Sequence, residues 1–229
     1  MVSHFKHSSE LDLSFTEENY LKVIYHLHSK EESVFTNAIA EAIDTKPSTV
    51  SDMLKKLAAK NLVNYEKYKG VTLTPEGQAA ALWIIRKHRL WEVFLVEKLH
   101  FTWDEVHEVA EQLEHIKSRS LIDKLDQFLG YPKTDPHGDP IPDSNGNFEK
   151  KPLFLLKNCR PKEKIIVCVV KDDSKTFLQL LDKMGIRIGS KIEVIEKLDY
   201  DGSMEIEIDY YHRKTISQAI AQNILVDYL

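Results

Sequence analysis

The sequence has only two cysteines in 229 residues, Cys159 and Cys168, and they form no CxxC pair. That excludes a disulfide framework and a thiolate zinc finger. The two are read as reduced structural thiols of a cytoplasmic protein. No apolar run approaches the roughly 20 residues a membrane span requires, so no membrane partner is expected. The opening stretch, MVSHFKHSSELDLS, has neither a greasy segment nor a small-residue cleavage site, which argues against export. P-loop, Gly-rich dinucleotide turn, GxSxG and HExxH strings are all missing. A zinc hydrolase would need an open coordination position and a base in a cleft, and nothing points to one, so no enzyme is expected.

Apolar residues make up 42% of the chain and charged residues 29%, enough for a packed core. The net charge of −5 is unusual for a nucleic-acid binder until it is located. Residues 45–75 carry six lysines (46, 55, 56, 60, 67 and 69) against Asp52 and Glu66. A basic island on an acidic body can dock on phosphate, because the field that matters is local.

After a polar tail over 1–14, Thr16 is read as the cap of a first helix, with Tyr20, Ile24 and Leu27 at helical spacing. KEES (30–33) ends it. A short helix follows over 36–43. Pro47 then opens PSTVSDMLKKLAAK, whose buried stripe is Val50, Met53, Leu54 and Leu57. LVNYEKY and VTLTP alternate as two short strands around Lys69-Gly70. Pro75 opens a long helix, Thr102 is read as the cap of another, and a third covers about 118–129. Residues 130–152 hold five of the eight prolines and read as loop. Beyond them IIVCVV, SKIEVIEKL and SMEIEIDY read as strands and FLQLLDKMG as one helix, together a small β-barrel.

Two helices joined by a short turn and followed by a two-stranded wing suit the major groove. Lys46, Ser48, Thr49, Ser51 and Asp52 stand at the start of the reading helix, with Lys56 further along it and Lys67 and Lys69 on the wing. They are expected to meet base edges and phosphate. No arginine lies in 45–75, so specificity is expected to rest on thymine methyl groups and DNA shape.

Residues 88–115 hold four histidines and seven acids. His88 and Glu92 share one helical face, as do His107, Glu111 and His115, with Glu114 beside His115. Imidazole and carboxylate without thiolate suit a hard or borderline divalent ion. Leu82, Ile85, Leu90, Phe94 and Leu95 read as core or subunit contact, and Trp83, Trp91 and Trp103 as packing. His100, Glu97, Asp104, Glu105 and Glu108 read as solvent-facing.

The stretches TEENYLKVIY, PSTVSDMLKKLAAKNLVNYEKYKGVTLTPEG, RKHRLWEVFL, VHEVAEQLEHIKS, PHGDPIP and FLQLLDKMGIRIGSKIEVIE resemble, in this order, the diphtheria-toxin-repressor and manganese-transport-regulator family of bacterial metal-dependent repressors. The resemblance implies a mainly helical chain with small β parts. A winged helix-turn-helix (1–75) is followed by a helical dimerisation and metal-binding domain (76–150) and an SH3-like, FeoA-like barrel (151–229). It also implies a homodimer that binds a double-stranded DNA operator of metal-uptake genes once metal is bound.

Glu111, Glu114 and His115 fall on the family's primary site, and His88, Glu92 and His107 on its ancillary site. Asp135, His137 and Asp172 match further ligand positions. The first-helix ligand, Met in iron-type members and Asp in manganese-type ones, is Asn19. The second acid of short manganese sensors is Lys22, which argues against their coupled two-metal centre. Glu111 replaces the iron-type cysteine, so Mn²⁺ is favoured, with Fe²⁺ the alternative. A winged-helix regulator answering an organic ligand or a protein partner is the competing reading.

Overall fold

A computed structural model describes residues 12–28, 33–66, 69–149 and 151–229. Lys67, most of the polar tail and most of KEES lie outside the described residues. The chain divides into two compact units. The first takes residues up to Trp91 with Ala110–Tyr131 and Ile141–Phe148. The second takes Glu92–Val109, Pro132–Pro140 and Glu149–Leu229.

In the first unit, α1 (Phe15–His28) opens on a reciprocal cap. Ser14 Oγ accepts the Glu17 N–H at 3.3 Å, and Glu17 Oε2 accepts the Ser14 N–H at 2.9 Å. The cap is therefore Ser14 and not Thr16. Glu17 stands three residues after Ser14 and can return the bond, whereas Asn19 is the residue at that distance from Thr16. Helices α2 (Thr36–Ala42) and α3 (Pro47–Ala59) follow. Pro47 sits in the first turn of α3, and Val50, Leu54 and Leu57 are its buried stripe. Met53 is only partly buried at its side. Asn61, at φ 57°, ends α3 as the Leu62 N–H reaches the Leu57 carbonyl at 3.0 Å.

Strands β1 (Val63–Glu66) and β2 (Gly70–Leu73) pair antiparallel, with Val63 opposite Leu73 and Glu66 opposite Gly70. Val34 adds a bridge to Val71. Thr74 then starts the long helix α4 (Pro75–Leu99): its Oγ1 accepts the Gly77 N–H at 3.0 Å and donates to the Asn61 carbonyl at 2.7 Å. One hydroxyl thus joins the end of α3 to the start of α4. The core joins Tyr20, Leu21, Ile24, Ile39, Val50, Leu54, Leu57, Leu62 and Val71 to Ala80, Ala81 and Ile84 of α4.

Helix α5 (Val106–Leu113) begins four residues later than Thr102. The 102–105 turn, in which the Thr102 hydroxyl donates to the Glu105 carboxylate at 2.8 Å, takes the place of its first helical turn. Helix α6 (Arg119–Phe128) is capped by Ser118, and Arg86 ties it to the following loop through Asp126 Oδ2 and the Pro142 carbonyl, each at 2.7 Å.

In the second unit, β3 (Phe154–Leu155), β4 (Lys164–Val170), β5 (Lys191–Lys197), β6 (Met204–Ile208), β7 (His212–Ile216) and β8 (Ile224–Tyr228) form one antiparallel sheet in the order β3-β8-β4-β5-β6-β7. No pairing of β3 with β7 closes it among the described residues. Two helices accompany the sheet, α7 (Lys175–Met184) and the short α8 (Gln218–Ala221), where the sequence suggested one. Met204, Ile206 and Ile208 of β6 alternate into a core shared with Ile192, Val194 and Val226. Among the described residues, no helix is long and apolar enough to cross a membrane.

Candidate metal centre and reading helix

The first unit gathers three carboxylates, two ammonium groups and two imidazoles from α1, α4 and the end of α5. Glu114 follows the last residue of α5 and is fully buried. Its Oε2 meets His88 Nδ1 at 2.5 Å, and its Oε1 accepts from Lys22 Nζ at 2.7 Å. Lys22 Nζ also lies 3.5 Å from Glu111 Oε1. His115 Nδ1 meets Glu18 Oε2 at 2.5 Å, and its ring stacks on Phe15 at 4.4 Å between centroids. The other Glu18 oxygen accepts from Lys87 Nζ at 3.3 Å.

Burial raises the Glu114 carboxyl's affinity for a proton, but the hydrogen bond and charge of His88, with Lys22, outweigh it. The net pKa lies below the ordinary carboxylate value. Burial likewise pulls the Lys87 ammonium below the lysine range, and Glu18 only partly restores it.

Of the expected primary ligands, the structure puts Glu111 and Glu114 on one shared cation, Lys22, and His115 on Glu18. Asn19 stands one residue after Glu18 on α1. Its Oδ1 is buried and accepts no hydrogen bond among the described residues. A buried carbonyl oxygen without a partner is costly unless some other positive group reaches it. The donors at hand are an amide oxygen, two carboxylates and an imidazole. That set fits Mn²⁺ or Fe²⁺.

The second unit has its own cluster. Glu92, Asp135 and His137 are buried, with one ligand atom of each within 4.8 Å of the others. Asp135 Oδ1 accepts the backbone N–H groups of His137 and Asp139 at 2.9 and 3.0 Å, which fixes the loop. His137 Nε2 lies 2.9 Å from the Trp103 carbonyl. A carbonyl only accepts, so Nε2 carries the proton. Nδ1, 4.0 Å from Glu92 Oε2, is then the nitrogen with the lone pair, the one that could hold a cation.

Trp103 does more than pack: it stacks on His137 at 6.0 Å and donates its indole N–H to Asp182 at 2.9 Å. His107 Nδ1 reaches Glu92 Oε1 at 3.5 Å from a half-exposed position. Asp172 is not brought into the cluster; its Oδ1 accepts the Ser174 N–H at 3.0 Å before α7. Asp104, read as solvent-facing, accepts from Gln179 at 2.9 Å.

Lys46, just before α3, and Ser48, Thr49, Asp52 and Lys56 on it are exposed. Ser51 turns its hydroxyl to the Pro47 carbonyl at 3.0 Å. Lys55 pairs with Asp52 at 3.0 Å and Lys69 with Glu66 at 2.6 Å. Lys60 is exposed but pairs with Glu17 at 2.7 Å, so the free basic charge on this face is smaller than the lysine count suggests.

Sequence reasoning missed Glu18, Lys87 and the inward role of Lys22. Lys87 sits in IIRKHRLW, where a run of four basic residues interrupts an apolar stretch. Glu18 carries none beyond its place one turn before Lys22.

Three family domains match the chain. The iron-dependent repressor N-terminal DNA-binding domain covers 12–71, the iron-dependent repressor metal-binding and dimerisation domain covers 74–143, and the FeoA domain covers 154–228. The chain is similar to the iron-dependent repressor IdeR of Mycobacterium leprae, 35% identical over 131 residues, which span 57% of each protein. The matched stretch is thus little more than half the length of that curated relative. The chain is also 28% identical to the diphtheria toxin repressor of Corynebacterium efficiens over 197 residues, 81% of this chain and 85% of that one. A solved manganese-dependent transcriptional repressor in complex with manganese is 37% identical, with a TM-score of 0.82 over 93% of this chain and 100% of that one.

Proposed function

Because the chain belongs to the diphtheria-toxin-repressor and manganese-transport-regulator family of metal-dependent DNA-binding repressors, we propose that it represses metal-uptake genes as a homodimer when Mn²⁺, or alternatively Fe²⁺, is bound. The observation that carries this reading is the orphaned Asn19 Oδ1 on α1, the helix whose Glu18 and Lys22 pair with His115 and Glu114. Asn19, Glu111, Glu114 and His115 would hold the ion. A divalent cation there supplies the charge that ties the start of α1 to the end of α5. Glu18 orients His115, and His88 orients Glu114. Glu92, Asp135 and His137 are assigned a second ion, with His107 steadying Glu92.

The link to DNA runs through α1. Glu17, in its first turn, holds Lys60 at the end of α3 at 2.7 Å. A shift of α1 toward the ligands therefore moves the reading helix, and the ion acts by favouring one arrangement over another. Leu121 and Phe128, exposed and two turns apart on α6, are assigned to the dimer face. The relatives' metal dependence favours a cation over an organic ligand.

The test is fluorescence anisotropy on a duplex selected in vitro with Mn²⁺-loaded protein. Chelation is expected to weaken binding by about 100-fold, the usual scale of coupling between sites. Indifference to the chelator would overturn the proposal in favour of the organic-ligand reading. On the same duplex, Lys56→Gln should lower the slope of log K against log salt by about one per protomer. Lys60→Gln should leave the slope unchanged, since that ammonium faces Glu17 and not phosphate. Equal slopes for Lys56→Gln and the parent would remove Lys56 from the interface.

A further inference from the structure

We propose that Lys22 is a resident competitor for the metal, a built-in ammonium that must leave Glu111 and Glu114 before an ion can bind, and that it sets the concentration at which the regulator responds. This rests on the metal-centre reading above. Lys22 Nζ is 2.7 Å from Glu114 Oε1 and 3.5 Å from Glu111 Oε1, with its side chain 12% exposed. An ammonium uses the same carboxylate lone pairs that a metal ion needs. It also repels a divalent ion placed beside it, since like charges a few ångströms apart in a partly dry site interact strongly. Both cations cannot hold Glu114 Oε1 together.

Lys22 is also the ammonium able to leave. Lys87, 1% exposed, is enclosed on Glu18. Lys22 stands nearer water on a flexible four-carbon stem and can withdraw its charge to solvent. Asn19, one turn earlier on the same helix face, is neutral. The metal-free cluster therefore sets Glu18, Glu111 and Glu114 against Lys22 and Lys87, with His88 on the second Glu114 oxygen. The protein's own cations keep the metal-free form folded, and loading becomes an exchange of one cation for another. Without the Lys22 charge, Glu111 and Glu114 lose their shared counter-ion. The metal-free state is then raised in energy and the loaded state is relieved of repulsion, both of which tighten binding.

The experiment is calorimetric titration of Mn²⁺ alone into the metal-free full-length chain and its variants. Lys22→Met is expected to bind about tenfold tighter or more, and to have a lower metal-free Tm with a larger Mn²⁺-induced rise. Lys22→Gln, which keeps a donor for Glu114 without the charge, should tighten binding in the same sense should Lys22→Met fail to fold. Lys22→Arg, which keeps the charge, should stay within about threefold of the parent. A parent that binds Mn²⁺ together with charge-free variants that bind it equally or more weakly overturns the competitor role alone. A parent and variants that all fail to bind Mn²⁺ overturn the metal-centre reading and this proposal with it.

Discussion

Glu114→Gln is expected to weaken Mn²⁺ binding by at least about 100-fold, more than the loss of an outer-shell partner costs, and to abolish metal-dependent DNA binding. The carboxylate is fully buried at the end of α5, with His88 on one oxygen and Lys22 on the other. Glutamine keeps the shape but removes the charge that faces the Lys22 ammonium and the His88 ring. It also presents an N–H₂ donor to one of them. Removing one partner of a buried charge pair costs about 3 kcal/mol, so the metal-free Tm should fall as well. Calorimetry with Mn²⁺ and thermal unfolding measure the two effects separately. A variant that binds Mn²⁺ as the parent does would exclude Glu114 from the ligand set.

Gly138→Ala is expected to destabilise the second unit by about 3 kcal/mol or more, the sum of a left-handed backbone penalty and a direct clash. Gly138 has φ +91°, and a Cβ there would lie 1.8 Å from the Cys168 carbonyl oxygen. That contact seats the 135–139 loop on β4, where the Val170 N–H donates to the His137 carbonyl at 3.0 Å. Lifting the loop carries Asp135 and His137 away from Glu92. The variant should therefore lose the second Mn²⁺ equivalent while keeping the first, whose residues all lie in the other unit. Unchanged Mn²⁺ stoichiometry with unchanged unfolding would show that the loop does not depend on this glycine.

Local pattern made much of this legible. Pro47 and Pro75 mark helix starts because a missing N–H is harmless there. Val50, Leu54 and Leu57 repeat at helical spacing and are all buried. His88, Glu92, Glu111, Glu114 and His115 are visible because their spacings are helical, and Asp135 and His137 because of the resemblance. Periodicity reports which face is covered and is silent about what covers it. The partners of Glu114 and His115 on α1 lie 92 and 97 residues away, so Lys22 and Glu18 could not be assigned to them.

Strand β7 was missed because HRKTI exposes all but Ile216; its pairing with β6 makes it a strand. Ser14 was passed over as a cap because the stretch before Phe15 reads as polar tail. Lys60 looked like part of a DNA-facing charge, and only the fold turns it to Glu17. Of the two thiols, Cys159 is buried and Cys168 half-buried, and burial, with Glu163, pushes the Cys159 thiol up to about 12.

The central claim is that one cation joins Asn19 on α1 to Glu111, Glu114 and His115 and displaces Lys22. Anomalous diffraction at the manganese edge, from crystals grown in manganese chloride, tests it most directly. The expected map has a strong peak bonded to those four side chains, with the Lys22 ammonium moved away from Glu114. Manganese peaks elsewhere only, with Lys22 still seated on Glu114, would contradict it.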